Sequence, residues 1–189
     1  MRVAACFLSL LCVCVAEESC SYQLPDDFKT ACGLLNLKVT SASGHTLVDD
    51  SNCDQLFSKA EFSTKPEIKY TAANTGKQYS LVMVDPDAPN HKEGQYWLHW
   101  IIANIKGSDL KDGNISLGDQ VIGYHPPGPP KGTGEHRYIF LLFEQHHTNI
   151  QLTKPETRPR FPLAKWISEQ EGLFCHLVAG IQFRVQFEE

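Results

Sequence analysis

Two aspartates in Asp85-Pro86-Asp87-Ala88-Pro89, a histidine in Trp97-Leu98-His99-Trp100, and a second histidine in Gly128-Pro129-Pro130-Lys131-Gly132-Thr133-Gly134-Glu135-His136-Arg137-Tyr138 are the side chains best suited to chemistry. A carboxylate beside an imidazole favours the imidazolium, and an imidazolium with loop N–H groups makes a small site for phosphate or carboxylate. The carboxylates would repel a dianion, yet they could pair with an ammonium group or share a proton with a phosphate oxygen. A zwitterionic group offers both charges. Each motif lies at the edge of an apolar run, where an unpaired charge is costly unless a ligand or partner satisfies it. The three segments therefore read as one binding site.

The local chemistry of each motif has a plainer alternative. Prolines 86 and 89 fix φ and remove donors, so the chain turns out of its sheet and presents the aspartates at a strand end. Turn chemistry alone is the other reading of that pair, and one of the two carboxylates can serve only in it. The glycines of 128–134 let backbone N–H groups approach an anion. That loop lacks the Gly-Lys-Ser/Thr ending of a nucleotide-binding P-loop, and Lys131 reads as a solvated charge. His99 or His136, taken singly, could be a satisfied core residue. Trp97 and His99 are two apart and share a strand face, so they can wall a pocket with Tyr124 and Tyr138, whereas Trp100 points the other way into packing.

Aspartate and histidine could also act as base and acid in hydrolysis. No Gly-x-Ser-x-Gly elbow or His-Glu-x-x-His motif accompanies them, and no cysteine remains as nucleophile once four are assigned to bridges. His146-His147 reads as an exposed loop pair rather than a metal site. The chain is thus read as a binding protein and not an enzyme, with no cofactor and no metal.

Strands must position these groups. Leu35, Leu37 and Val39 alternate with polar residues as in a half-buried strand. The runs 79–84, 97–105 and 137–143 are continuously apolar, as expected of central strands covered on both faces. Ile181, Phe183, Val185 and Phe187 form one face of a last strand, with Gln182, Arg184 and Gln186 opposite. One helix is predicted over Pro162–Glu171, with Leu163, Trp166 and Ile167 on a stripe and Gly172 as its stop. Residues 106–120 and 148–160 read as exposed loops. The fold class is mostly β, with one or two short helices.

Arg2, the apolar stretch 3–15 and Ala16 read as a secretory signal peptide over 1–16, leaving one domain over 17–189. The stretch is too short to cross about 30 Å of hydrocarbon, and no other run is long enough to span. Three cysteines leave with the leader. Cys20, Cys32, Cys53 and Cys175 remain, an even number in an oxidising compartment, which predicts two disulfides in one of three pairings. Three of them crowd the N-terminal segment, so a bridge is expected to pin it to the domain. Asn114-Ile115-Ser116 is a glycosylation sequon in a turn. The formal charge of −5, made more negative by loss of Arg2, argues against nucleic-acid binding.

Asp-Pro-Asp-Ala-Pro, Trp-x-His and Gly-Pro-Pro-Lys-Gly-Thr-Gly-x-His-Arg-Tyr resemble the phosphatidylethanolamine-binding protein family, also called Raf kinase inhibitor proteins. The motifs cover about residues 79–145, and a fainter likeness runs from about 30 to 187 through Arg160-Phe161 and Val178-Ala179-Gly180. With its leader and added cysteines the chain is most similar to the family's secreted branch, phosphatidylethanolamine-binding protein 4. The resemblance implies a β-sandwich on a large central antiparallel sheet. It also implies a pocket for phosphate-like anions or phospholipid (phosphatidylethanolamine) head groups, at Asp85, Asp87, Trp97, His99, Gly128, His136 and Tyr138. Three departures modify this. Leu98 replaces a second histidine and is expected to make the pocket less basic. Pro126 replaces a glycine and removes an N–H donor. Glu189 follows the last strand directly, where many members add a helix over the pocket mouth.

The expected function is a secreted, extracellular binding protein whose partner is a phospholipid head group or a phosphorylated or acidic small ligand. The alternative is a secreted interaction protein that inhibits a protease, or modulates kinase-linked signalling, through its surface.

Overall fold

The computed structural model describes Cys20, residues 22–25, Phe28, residues 30–34 and residues 36–188. The leader read at 1–16, Leu35 and Glu189 lie outside these residues. Eight strands and two α-helices follow in order: β1 (Leu37–Thr40), β2 (Thr46–Val48), β3 (Glu67–Tyr70), β4 (Gln78–Asp85), β5 (Trp97–Lys106), α1 (Gly107–Asp112), β6 (Asp119–Ile122), β7 (Glu135–Gln145), α2 (Leu163–Glu169) and β8 (Phe174–Gln186). A five-stranded antiparallel sheet in the order β6-β5-β4-β7-β8 packs against a three-stranded sheet in the order β2-β1-β3.

Burial on both faces explains the continuously apolar runs. Every residue of β4 is buried. Leu81, Met83, Phe140, Ile181 and Phe183 face the small sheet and meet Leu37, Val39 and Ile68 there. Val82, Val84, Leu98, Ile139 and Leu141 form the opposite face and are covered by Leu163, Trp166 and Ile167 of α2. The apolar stripe expected on that helix is the one buried.

Two local expectations need correction. Residues 106–120 are not simply a loop, because they hold α1, a 3-10 turn at Ile115–Leu117 and the start of β6. Gly107 opens α1 where an added Cβ would lie 1.9 Å from the Asn74 carbonyl oxygen, so glycine there serves close packing, not a loop. On the polar face of β8, Gln182 is buried between the Ala31 N–H and Asp54 Oδ1, Arg184 pairs with Asp54 at 2.6 Å, and Gln186 is exposed. Phe187 falls beyond β8 and is 39% exposed, with the Lys59 and Lys131 ammonium groups over its ring at 5.5 and 5.8 Å. The exposed Lys131 is therefore placed against an aromatic face.

Two disulfides resolve the pairing that spacing left open. Cys20–Cys175 joins the N-terminal segment to β8, and Cys32–Cys53 joins it to the segment after β2. His146 lies against the first bridge, with Nδ1 2.9 Å from Cys20 Sγ, while His147 is exposed. No described helix is long and apolar enough to cross a membrane.

The Cys32–Cys53 bridge closes a 21-residue separation, which in the chain-entropy picture contributes about 3 kcal/mol. Replacing both cysteines by serine is expected to lower the urea midpoint accordingly. An unchanged midpoint would show that the bridge constrains nothing.

Candidate functional site

β4 ends at Asp85, and Pro86 then turns the chain out of the sheet. The Asp85 carboxylate stays behind, 3% exposed, and accepts the Asp87 N–H on Oδ1 at 2.7 Å. Its Oδ2 lies 2.8 Å from His136 Nδ1, on the neighbouring strand β7. His136 Nε2 in turn lies 2.8 Å from Thr133 Oγ1, whose hydroxyl donates to the Pro130 carbonyl. The chain of contacts latches the Gly128–Gly134 loop to the sheet. It has the carboxylate–imidazole–hydroxyl order of a hydrolase triad, but the Thr133 proton goes to Pro130 and Thr133 is not among the cavity-lining residues.

His99 occupies a bulge. Met83 pairs with Trp100 and Val84 with Leu98, which leaves His99 as the extra residue on β5. Bulged neighbours lose strict alternation. Trp100 accordingly packs in the same core layer as Tyr138, the ring that His99 touches edge-on at 5.1 Å, so Trp100 is buried as expected but not on the opposite face. Arg158 holds the bulge, donating from Nη1 to the Leu98 and His99 carbonyls and from Nη2 to the Gly123 carbonyl. His99 donates from Nδ1 to the His125 carbonyl at 2.7 Å. Burial pushes its pKa down to about 3, against the opposing hydrogen bond to the His125 carbonyl, and the Arg158 charge adds to the effect. His99 is neutral, and Nε2 carries a lone pair.

These groups line a cavity of about 420 Å³ at the end of β4. Asp85, Trp97, His99, Gly128, His136 and Tyr138 all border it. Asp87 does not. Its carboxylate is held by Arg137, with Nε at 2.8 Å, Nη2 at 2.7 Å and the backbone N–H at 2.9 Å. Desolvation raises the Asp87 pKa, but the Arg137 hydrogen bonds outweigh it and hold the carboxyl below its usual range. Burial raises the Tyr138 phenol, partly offset by the nearby Gly128 backbone. Leu98 is buried in the layer under α2, so a histidine at that position would have to leave the packed core to make the cavity more basic. Pro126 does border the cavity.

Asn90, His91, His125 and Pro159 went unnoticed in the sequence, and Arg160 was noted there only as part of the wider family likeness. His91 sits in the turn opened by the Asp-Pro-Asp-Ala-Pro motif, and Arg160 ends a segment read as an exposed loop. A bridge between Tyr96 and Phe161 brings that segment alongside β5. Nothing in local periodicity announces such a contact.

Two outcomes are expected. Asp87→Ala breaks a half-buried pair and should cost about 1–3 kcal/mol, read as a lower denaturation midpoint; an unchanged midpoint would contradict the pairing. His99 should show flat ring chemical shifts from pH 8 to 5. Because its folded pKa lies below the unfolded value near 6.5, its contribution to stability is full above about 6.5 and declines as pH falls toward 3. A His99 titration midpoint above 5 would overturn the neutral assignment.

A family model described as phosphatidylethanolamine-binding protein matches residues 38–172. Among solved structures, the chain is similar to carboxypeptidase Y inhibitor in complex with its cognate proteinase, at 21% identity over 80% of this chain and 83% of that one, with a TM-score of 0.61. It is also similar to phosphatidylethanolamine-binding proteins from Plasmodium vivax (22% identity, 80% and 85% covered, TM-score 0.60) and Plasmodium falciparum (19%, 86% and 92%, TM-score 0.56). At these identities the structural likeness establishes a common fold. The family match spans well over half of the chain and includes every segment that borders the cavity, and on that ground the chain belongs to the phosphatidylethanolamine-binding protein family.

Proposed function

We propose that the cavity binds a phosphate-bearing small group, with the head group of phosphatidylethanolamine as its ligand class, and that the protein is a secreted binder rather than an enzyme. The observation that carries this reading is the convergence of Asp85, Trp97, His99, Gly128, His136 and Tyr138 on one open cavity of about 420 Å³. That volume is of the order of a small-ligand site. The Asp85 carboxylate and the His99 lone pair suit an ammonium group, the Trp97 ring supplies an apolar wall, and family membership supports a phospholipid head group. Secretion is supported by the leader pattern at 1–16 and by two disulfides, which persist in oxidising compartments. Asn114 is exposed in its turn, which suits a glycan.

Titration of the isotope-labelled protein with O-phosphorylethanolamine tests the reading. Shifts should concentrate on the Trp97 indole and on the rings of His91 and His125. Saturating shifts elsewhere, or none at millimolar ligand, would refute the cavity as the binding site.

A further inference from the structure

The charge that a ligand could reach does not lie on the motif histidines, because one offers a lone pair and the other is enclosed by its own partners. His99 is neutral and offers a lone pair. His136 is 1% exposed and spends both ring nitrogens within the protein, on Asp85 and Thr133. Arg137 is committed to Asp87. Burial lowers the pKa of both His91 and His125, which favours their neutral forms. Arg160 remains. It is the single arginine or lysine among the described residues that line the cavity.

Its side chain is exposed and weakly engaged. The one hydrogen bond of its guanidinium among the described residues is a long contact from Nε to the Asn90 carbonyl at 3.4 Å, and no described carboxylate forms an ion pair with it. Its backbone, by contrast, is firmly fixed. The Arg160 N–H donates to His91 Nε2 at 3.0 Å, and the next residue, Phe161, exchanges both backbone hydrogen bonds with Tyr96 at 2.7 and 3.0 Å. Arg160 has φ of 56°, a left-handed conformation that a residue with a side chain rarely adopts and that persists only where neighbours enforce it. A rigid main chain thus carries an unpaired guanidinium on the cavity wall. The charges of both Asp85 and Arg160 act on the His91 ring, so the carboxylate and the guanidinium lie within reach of one side chain.

We propose that Arg160 is the anion-binding residue of this cavity: its planar guanidinium takes the phosphate oxygens of the ligand and leaves the Asp85 side for an ammonium end. Guanidinium matches phosphate geometry with paired N–H donors and keeps its charge at any physiological pH. The inference rests on the reading of the cavity as a phosphate-group site and assigns the residue that recognises the anion. His91 is a positioning residue, since its Nε2 fixes the Arg160 backbone.

Calorimetry or NMR titration of wild type, Arg160→Ala, Arg160→Gln and Arg160→Lys tests this, with inorganic phosphate, O-phosphorylethanolamine, a soluble short-chain phosphatidylethanolamine and ethanolamine as probes. Both uncharged variants should bind inorganic phosphate and the phosphorylated probes at least about ten-fold more weakly, with the lysine variant between them and wild type. Ethanolamine binding and the melting temperature should be unchanged. Weakening for the lipid probe alone would identify a head group rather than free phosphate as the ligand, still through Arg160. Wild-type affinity for every phosphorylated probe in both uncharged variants would overturn the role of Arg160 while leaving the cavity reading intact. Equal loss of ethanolamine binding would overturn it too, by showing a collapsed cavity. Absence of binding by wild type to any probe would remove both readings.

Discussion

The buried carboxylate of Asp85 is the constraint on which the cavity depends. A carboxylate with 3% exposure is tolerated only where hydrogen bonds replace its lost water, and here one oxygen fixes the turn through the Asp87 N–H while the other meets His136. Those two contacts join the end of β4, the outgoing turn and the neighbouring strand β7. Thr133 extends the contact to the Pro/Gly loop, so one wall and one rim of the cavity are set by a single side chain and its partners. The first aspartate of the motif thus does both turn chemistry and site chemistry. The second is spent on Arg137 and serves the frame.

A second constraint comes from the bulge at His99. One extra residue between two pairs of the ladder frees the His99 backbone from regular pairing and brings its ring and that of Trp100 to the same side of the sheet. The freed carbonyls need donors, and Arg158 supplies them from a segment nearly sixty residues further along the chain. Placing Arg158 there also places Pro159 and Arg160 on the cavity wall. Satisfying buried backbone groups and building a binding wall are accomplished by the same short stretch.

Polar networks elsewhere follow a similar logic. Gln145 and Asn104 hydrogen-bond to each other and to Ser80 and Ile150, and so fix the chain after β7. Gln182 does the same for the N-terminal segment, and Cys20–Cys175 reinforces that attachment. Each of these side chains is polar yet buried. Each is satisfied by a partner remote in sequence.

The sequence by itself determined the mostly β class, the four long strands, the stripe of α2, the number of bridges and six of the residues that border the cavity. These are legible because apolar periodicity, proline and glycine act over a few residues, and because titratable groups beside apolar runs stand out locally. Tertiary structure alone decided which cysteines pair, that Asp87 belongs to Arg137, that His99 is neutral, that Leu98 faces away and that Arg160 reaches the cavity. The physical reason is that charge state and exposure depend on desolvation and on partners far apart in sequence, which strand register and the bulge bring together and no local pattern encodes.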